Sequence, residues 1–83
     1  MDDDLETALN TYMLIILDMD VDEIYYQRGM NGLSFFIDPY DYYSSDRGVV
    51  DVLNYCIAVF VEHEHYEKCS DIKERIEQIS YEV

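Results

Sequence analysis

Three sets of apolar residues recur at helical spacing in this chain, and they constrain its fold more than anything else in it. Leu5, Ala8, Leu9, Tyr12, Met13 and Ile16 form the first set. Val49, Val50, Leu53, Cys56, Ile57 and Phe60 form the second, and Cys69, Ile72, Ile76, Ile79 and Val83 the third. Intervals of three and four residues put each set on one face of an amphipathic helix. The spacing predicts a helix over 5 to 18 with Asp4 as N-cap and another over 46 to 66 capped by Ser45 or Asp46. The stripe slips phase between 61 and 69, which predicts a break near Lys68 to Ser70 and a short helix over 71 to 80 capped by Ser70; a single bent helix is the alternative. Leu14, Ile15 and Leu17 make the first helix apolar around most of its second half. That half is either central in the core or shared with a second copy, so a homodimer is one expected arrangement.

Between the first and second sets, "EIYYQ" and "LSFFID" are aromatic and β-branched runs separated by "RGMNG". Such runs favour extended backbone, and glycine and asparagine suit a hairpin connection, which predicts strands at 22 to 28 and 32 to 38. Pro39 ends the second strand and "PYDYYSSD" forms a loop. The expected architecture is α+β, a single acidic domain over residues 1 to 83 in the order α-β-β-α-α, with the β-hairpin packed against helices.

Charge is the second constraint. Nineteen acids against five bases leave a formal charge of −14, beyond the magnitude of about 2 to 8 that keeps a small domain soluble. The chain is nonetheless 49% hydrophobic, which is too apolar for a disordered polyanion. Self-repulsion on this scale opposes compaction and also repels nucleic acid and anionic lipid, so the expected partner is a basic protein, with no direct nucleic acid and no membrane. Residues 1 to 67 hold fifteen acids and only Arg28 and Arg47, a net of −13, whereas 68 to 83 are close to balanced at −1. The last helix, with Lys73, Glu74, Arg75 and Glu77, reads as an ordinary solvated face.

The apolar run "YMLIIL" at 12 to 17 falls far short of the roughly 20 residues that span a bilayer. The start "MDDDLETALN" lacks the basic end and apolar run of a signal peptide, and Cys56 and Cys69 have no CxxC spacing. A cytoplasmic setting is expected, that of the host cell if a phage encodes the chain.

Signatures of chemistry are weak. Asp18, Asp20 and Asp22 match the first three ligands of an EF-hand loop, but Glu23 stands where that loop needs glycine and Gly29 where it needs a bidentate glutamate. His63, His65, Cys56 and Cys69 are the soft-ligand set. His65 and Cys69 have i, i+4 spacing, yet the helix is expected to break between them, so the histidines read as surface residues and the cysteines as packing residues. No glycine-flanked serine, no cysteine with a clear base and no phosphate-cradling glycine loop with lysine is present. Paired carboxylates exist by number alone, in a chain with little room for a deep pocket. Neither enzymatic activity, nor cofactor, nor bound metal is expected.

A surface remains. "DMDVDE" at 18 to 23 carries four carboxylates in six residues with no lysine or arginine before it. In an extended segment Asp18, Asp20 and Asp22 would stand about 6.6 Å apart on one side, close to the roughly 6.8 Å covered by two steps of a DNA strand. Asp38, Asp41, Asp46 and Asp51, with the N-terminal acids, would prolong the row into a band. Tyr25 and Tyr26 follow the first acids, and Tyr40, Tyr42 and Tyr43 are interleaved with later ones; tyrosine adds contact area at low entropic cost. The candidate partner-binding residues are therefore Asp18, Asp20, Asp22, Glu23, Tyr25, Tyr26, Asp38, Tyr40, Asp41, Tyr42, Tyr43 and Asp46.

In size, charge and tyrosine content the chain resembles small acidic proteins that phages make against host defence, among them anti-CRISPR, anti-restriction and glycosylase-inhibitor proteins. That resemblance implies an inhibitor that imitates nucleic-acid phosphates. "DEIYY" at 22 to 26 is similar to the acid-then-tyrosine-pair recognition segment of the nuclease-colicin immunity family, although no proline follows the pair here. This second resemblance implies an immunity protein or antitoxin against a basic nuclease toxin. A third expectation is an acidic adaptor subunit that docks through the apolar half of the first helix.

Overall fold

A computed structural model describes residues 3–29 and 45–81, and among them the chain is all helical. The elements are α1 (Asp3–Ile15), α2 (Val21–Arg28), α3 (Asp46–Glu62) and α4 (Tyr66–Tyr81). The expected α+β architecture is thereby corrected: no strand occurs among the described residues, and the first expected strand is α2. The second, at 32 to 38, lies outside the described residues.

The reason is local. Asp20 adopts an extended conformation and its side chain accepts a hydrogen bond from the Glu23 backbone N–H at 2.8 Å, capping α2. Asp22 and Glu23 occupy the first turn and Arg28 the last, each sign matched to the helix dipole. Gly29, at φ 66°, closes the helix by donating its N–H to Tyr25 O at 2.7 Å. These start and stop signals outweigh the strand preference of "EIYY", because β-propensity expresses side-chain packing in a sheet and both tyrosines of this segment stay exposed. Arg28 ties α2 to α1 by pairing with Glu6 in the first turn of α1, and Ile24, one turn before it, is fully buried.

The main core joins α1, α3 and α4. Ala8 and Tyr12 pack with Val52, Leu53, Cys56, Val59 and Phe60, and Cys69 and Ile72 close the cluster from α4. Helices α1 and α3 run in the same direction, since Asp4 meets Tyr55, Ala8 meets Cys56 and Tyr12 meets Phe60. Met13, Ile15 and Ile16 pack on the core as partly buried residues, but Leu17 is 51% exposed. The apolar second half of α1 is therefore divided between core and surface. Asn10 and Thr11 are also fully buried, a cost in polar burial that the apolar periodicity did not foreshadow.

Ser45 caps α3, accepting from Gly48 N–H at 3.1 Å, as one of the two expected caps. The end of α3 differs from expectation: it stops at Glu62 and α4 begins at Tyr66, so the break lies at 63 to 65, Ser70 is inside a helix and α4 is longer than the short helix expected. The cause is a Schellman motif. Glu64 takes the left-handed position at φ 62°, its N–H bonds Val61 O at 3.1 Å, and His65 N–H bonds Phe60 O at 2.8 Å. The His65 ring lies 5.7 Å from that of Phe60, the side-chain contact that usually accompanies the motif. With neither glycine nor proline at the turn, its position left no mark in composition.

Candidate functional site

The candidate residues separate into two groups. Asp38, Tyr40, Asp41, Tyr42 and Tyr43 lie outside the described residues. Asp18, Asp20, Asp22, Glu23, Tyr25 and Tyr26 lie together on the corner where α1 turns into α2, and all six are exposed. Asp46 is exposed in the first turn of α3.

The corner is built from the end of α1. Leu17 N–H reaches back to Tyr12 O at 3.3 Å and Met19 N–H to Met13 O at 3.1 Å, wrapping the chain around Asp18, which sits in left-handed backbone at φ 55°. Aspartate is among the few residues that visit this conformation readily. The exit leads to Asp20 as N-cap and directly into α2. An extended row with one carboxylate every 6.6 Å, as expected for a strand, is thus replaced by three different settings: Asp18 in a left-handed turn, Asp20 at a cap and Asp22 on a helix. The physical reason is again the cap, which commits the backbone to helix immediately after Asp20.

On α2, Val21 and Tyr25 are one turn apart, as are Asp22 and Tyr26, so acids and aromatics share the outer face while Ile24 and Arg28 point inward. Tyr26 is 90% exposed and Tyr25 44%. Leu17 and Val21, at 51% and 44% exposed, add an apolar component that the sequence reading did not include. Spacing does not mark it, since Leu17 lies four residues after Met13 and reads as a continuation of the α1 stripe. The result is a ridge of carboxylates with exposed aromatic and aliphatic groups between them.

Some of this charge has an internal role. Asp20 caps α2, and Asp22 and Glu23 face its positive end, as Asp3, Asp4 and Glu6 face that of α1 and Asp46 that of α3. Helix N-termini therefore offset part of the self-repulsion that −14 implies. Asp18 has no such role, since it follows α1, at the negative end of that helix.

Three of the five cations serve the fold. Arg28 pairs with Glu6; Arg75 donates from Nη1 to Ile15 O at 3.1 Å, supplying the positive charge that the last turn of α1 lacks; Lys68 Nζ lies 5.7 Å from the centroid of the Tyr12 ring. Arg75, on a helix expected to be merely solvated, is thus part of how the corner is held. Nearby, the Tyr12 hydroxyl donates to Asp71 Oδ2 at 2.8 Å. Burial, that hydrogen bond and the Asp71 and Glu67 charges push the Tyr12 phenol up to about 12.

No group of three or more His, Cys, Asp or Glu side chains among the described residues is arranged to hold a metal ion. Cys56 is fully buried in the core and burial pushes its thiol up to about 12; Cys69 is buried with its Sγ 3.7 Å from Ile57 O. His63 and His65 are half-buried at the α3–α4 turn. No helix of the described residues is long and apolar enough to cross a membrane. Comparison of the chain with family models, curated proteins and solved structures found no match.

Proposed function

We propose that this chain is a non-enzymatic inhibitor whose α1–α2 corner takes the place of nucleic-acid phosphates in the basic groove of a DNA- or RNA-handling enzyme, as a cytoplasmic counter-defence protein of phage origin would. The observation that carries the reading is the exposure of Asp18, Asp20, Asp22 and Glu23 together with Tyr25 and Tyr26 on one corner of a chain of charge −14. Phosphate contacts supply much of the affinity in such grooves, so a folded polyanion engages the same lysines and arginines without base readout. The tyrosines add contact area and accept cation–π contacts from those arginines.

The test has two steps. The immobilised chain is expected to retain a basic nucleic-acid enzyme from host lysate at about 50 mM salt and release most of it at about 200 mM. Added to that enzyme bound to labelled DNA, the chain should then lower fluorescence anisotropy by displacing the DNA. An enzyme that binds the chain and keeps its DNA would contradict mimicry.

That same outcome favours a second reading, an immunity protein or antitoxin against one cognate nuclease. It draws support from α2, where the "DEIYY" segment is helical and presents both tyrosines to solvent. Binding confined to one toxin, with its nucleic acid still bound, distinguishes this reading from the first.

A further inference from the structure

We propose that the cleft between the C-terminal end of α1 and the outer face of α4 is a socket for one arginine side chain of a basic protein partner. The inference rests on the inhibitory reading of the corner and adds a second point of attachment, on the helix whose near-balanced charge sets it apart from the rest of the chain. The cleft is a shallow depression open to solvent, with a volume of about 370 Å³, lined by Ile16, Leu17, Asp71, Glu74, Arg75 and Gln78.

Its two sides differ in chemistry. Ile16 and Leu17 form an aliphatic side, with Leu17 more than half exposed. Asp71 and Glu74 face them from α4, three residues apart and hence on one helical face. Arg75 keeps its positive charge while donating to Ile15 O, so Asp71, Glu74 and Arg75 together leave the lining with a net charge of −1. Asp71 gives one oxygen to the Tyr12 hydroxyl, which leaves the other to accept, and Glu74 is exposed.

An aliphatic wall facing two carboxylates matches arginine. Its methylene stem covers Ile16 and Leu17, and its planar fork reaches both acids at once. Lysine has a comparable stem but ends in a strongly hydrated point charge that lacks this fork. The socket is continuous with the corner, since Leu17 adjoins Asp18 and the cleft lining ends where the acidic ridge begins. An arginine held there would place the neighbouring basic residues of the partner over Asp18, Asp20 and Asp22.

The experiment titrates the ¹⁵N-labelled full chain with capped tetra-arginine and tetra-lysine peptides. Saturable shifts are expected at the Leu17, Glu74 and Gln78 amides with the arginine peptide, which should bind several-fold tighter than the lysine peptide. The double variant Leu17→Ser/Glu74→Gln changes only exposed side chains. It should weaken the arginine peptide about tenfold, the scale of one charge-assisted hydrogen bond, with an unaltered thermal melt. Equal affinity for the two peptides, shifts confined to residues 18 to 26, or an unaffected double variant would each overturn the socket. DNA displacement separates this failure from that of the underlying reading. If the double variant displaces DNA as well as the parent while neutralising Asp18, Asp20, Asp22 and Glu23 abolishes displacement, the socket falls and the inhibitory surface stands. If the parent itself displaces no DNA, the inhibitory reading falls, and the arginine selectivity alone decides the socket.

Discussion

The α3–α4 hairpin and the α1–α2 corner are built from similar parts and held very differently. Both turn through a non-glycine residue in left-handed backbone, Glu64 in one and Asp18 in the other. The hairpin turn sits over a shared core, with Phe60 beneath His65 and Cys69 against Ile57. Among the described residues, the corner helix α2 has one fully buried side chain, Ile24, which lies outside the main core cluster, and one ion pair to α1, Arg28–Glu6. The main core lies among α1, α3 and α4, whereas the corner presents four exposed carboxylates and adds little to that core. An acidic surface can therefore vary, or be occupied by a partner, without disturbing the core that supports it.

The largest effect that tests this division is expected from Leu53→Ala, which should cost about 2 to 5 kcal/mol and unfold the whole chain, as measured by urea denaturation. Ile24→Ala removes a similar amount of buried side chain but should act locally. Hydrogen exchange of the α2 amides is expected to lose protection while α3 and α4 keep theirs. Collective loss of protection in both regions would show that the two halves form one cooperative unit.

Alkaline pH should also act through the core side of the comparison. The fold favours the neutral forms of Cys56 and Tyr12, whose ionisations rise from 9.0 and 10.0 in the unfolded chain to about 12. The unfolded state therefore loses its protons first. The stability due to these groups is complete below pH 9 and declines between pH 9 and 12. A urea midpoint flat across that window would contradict the burial of both groups. Cys56→Ala should remove the part of the decline that begins near pH 9.

A smaller pair of substitutions probes the two turns directly. Glu64→Gly relieves left-handed strain and should raise stability by about 1 kcal/mol, and Asp18→Gly should gain less because aspartate adopts this conformation more readily. Each change also removes a carboxylate that follows a helix C-terminus, so both gains should shrink as salt rises.

How far the sequence reveals this molecule follows the same division. Helices α1 and α3 are legible because their apolar stripes are long and periodic, and the Ser45 cap stands at the expected boundary. Helix α2 is not, because its eight residues bury only Ile24, which leaves no periodic stripe to set against the strand preference of "EIYY". Its signal was chemical: Asp20 and Glu23 at cap spacing, and Gly29 after Arg28. The turn at 63 to 65 was hidden because Glu64 holds a position where glycine is usual. At the site, the acids were legible as residues but their row was not, since a cap rather than a strand sets their geometry. Contacts such as Tyr12–Asp71 and Arg75–Ile15 join positions 59 and 60 residues apart, beyond the reach of any local pattern.

The most direct measurement is urea unfolding, at low ionic strength, of a variant carrying Asp18→Gly, Asp20→Asn, Asp22→Asn and Glu23→Gln. Asparagine preserves the cap and glycine the turn, so four charges are removed with little change in backbone requirements. If the corner carboxylates serve recognition rather than folding, the variant should match the parent within about 1 kcal/mol, the range of ordinary surface changes plus a lost dipole interaction. A loss above roughly 3 kcal/mol would mean that those acids hold the structure together, and would contradict the central claim.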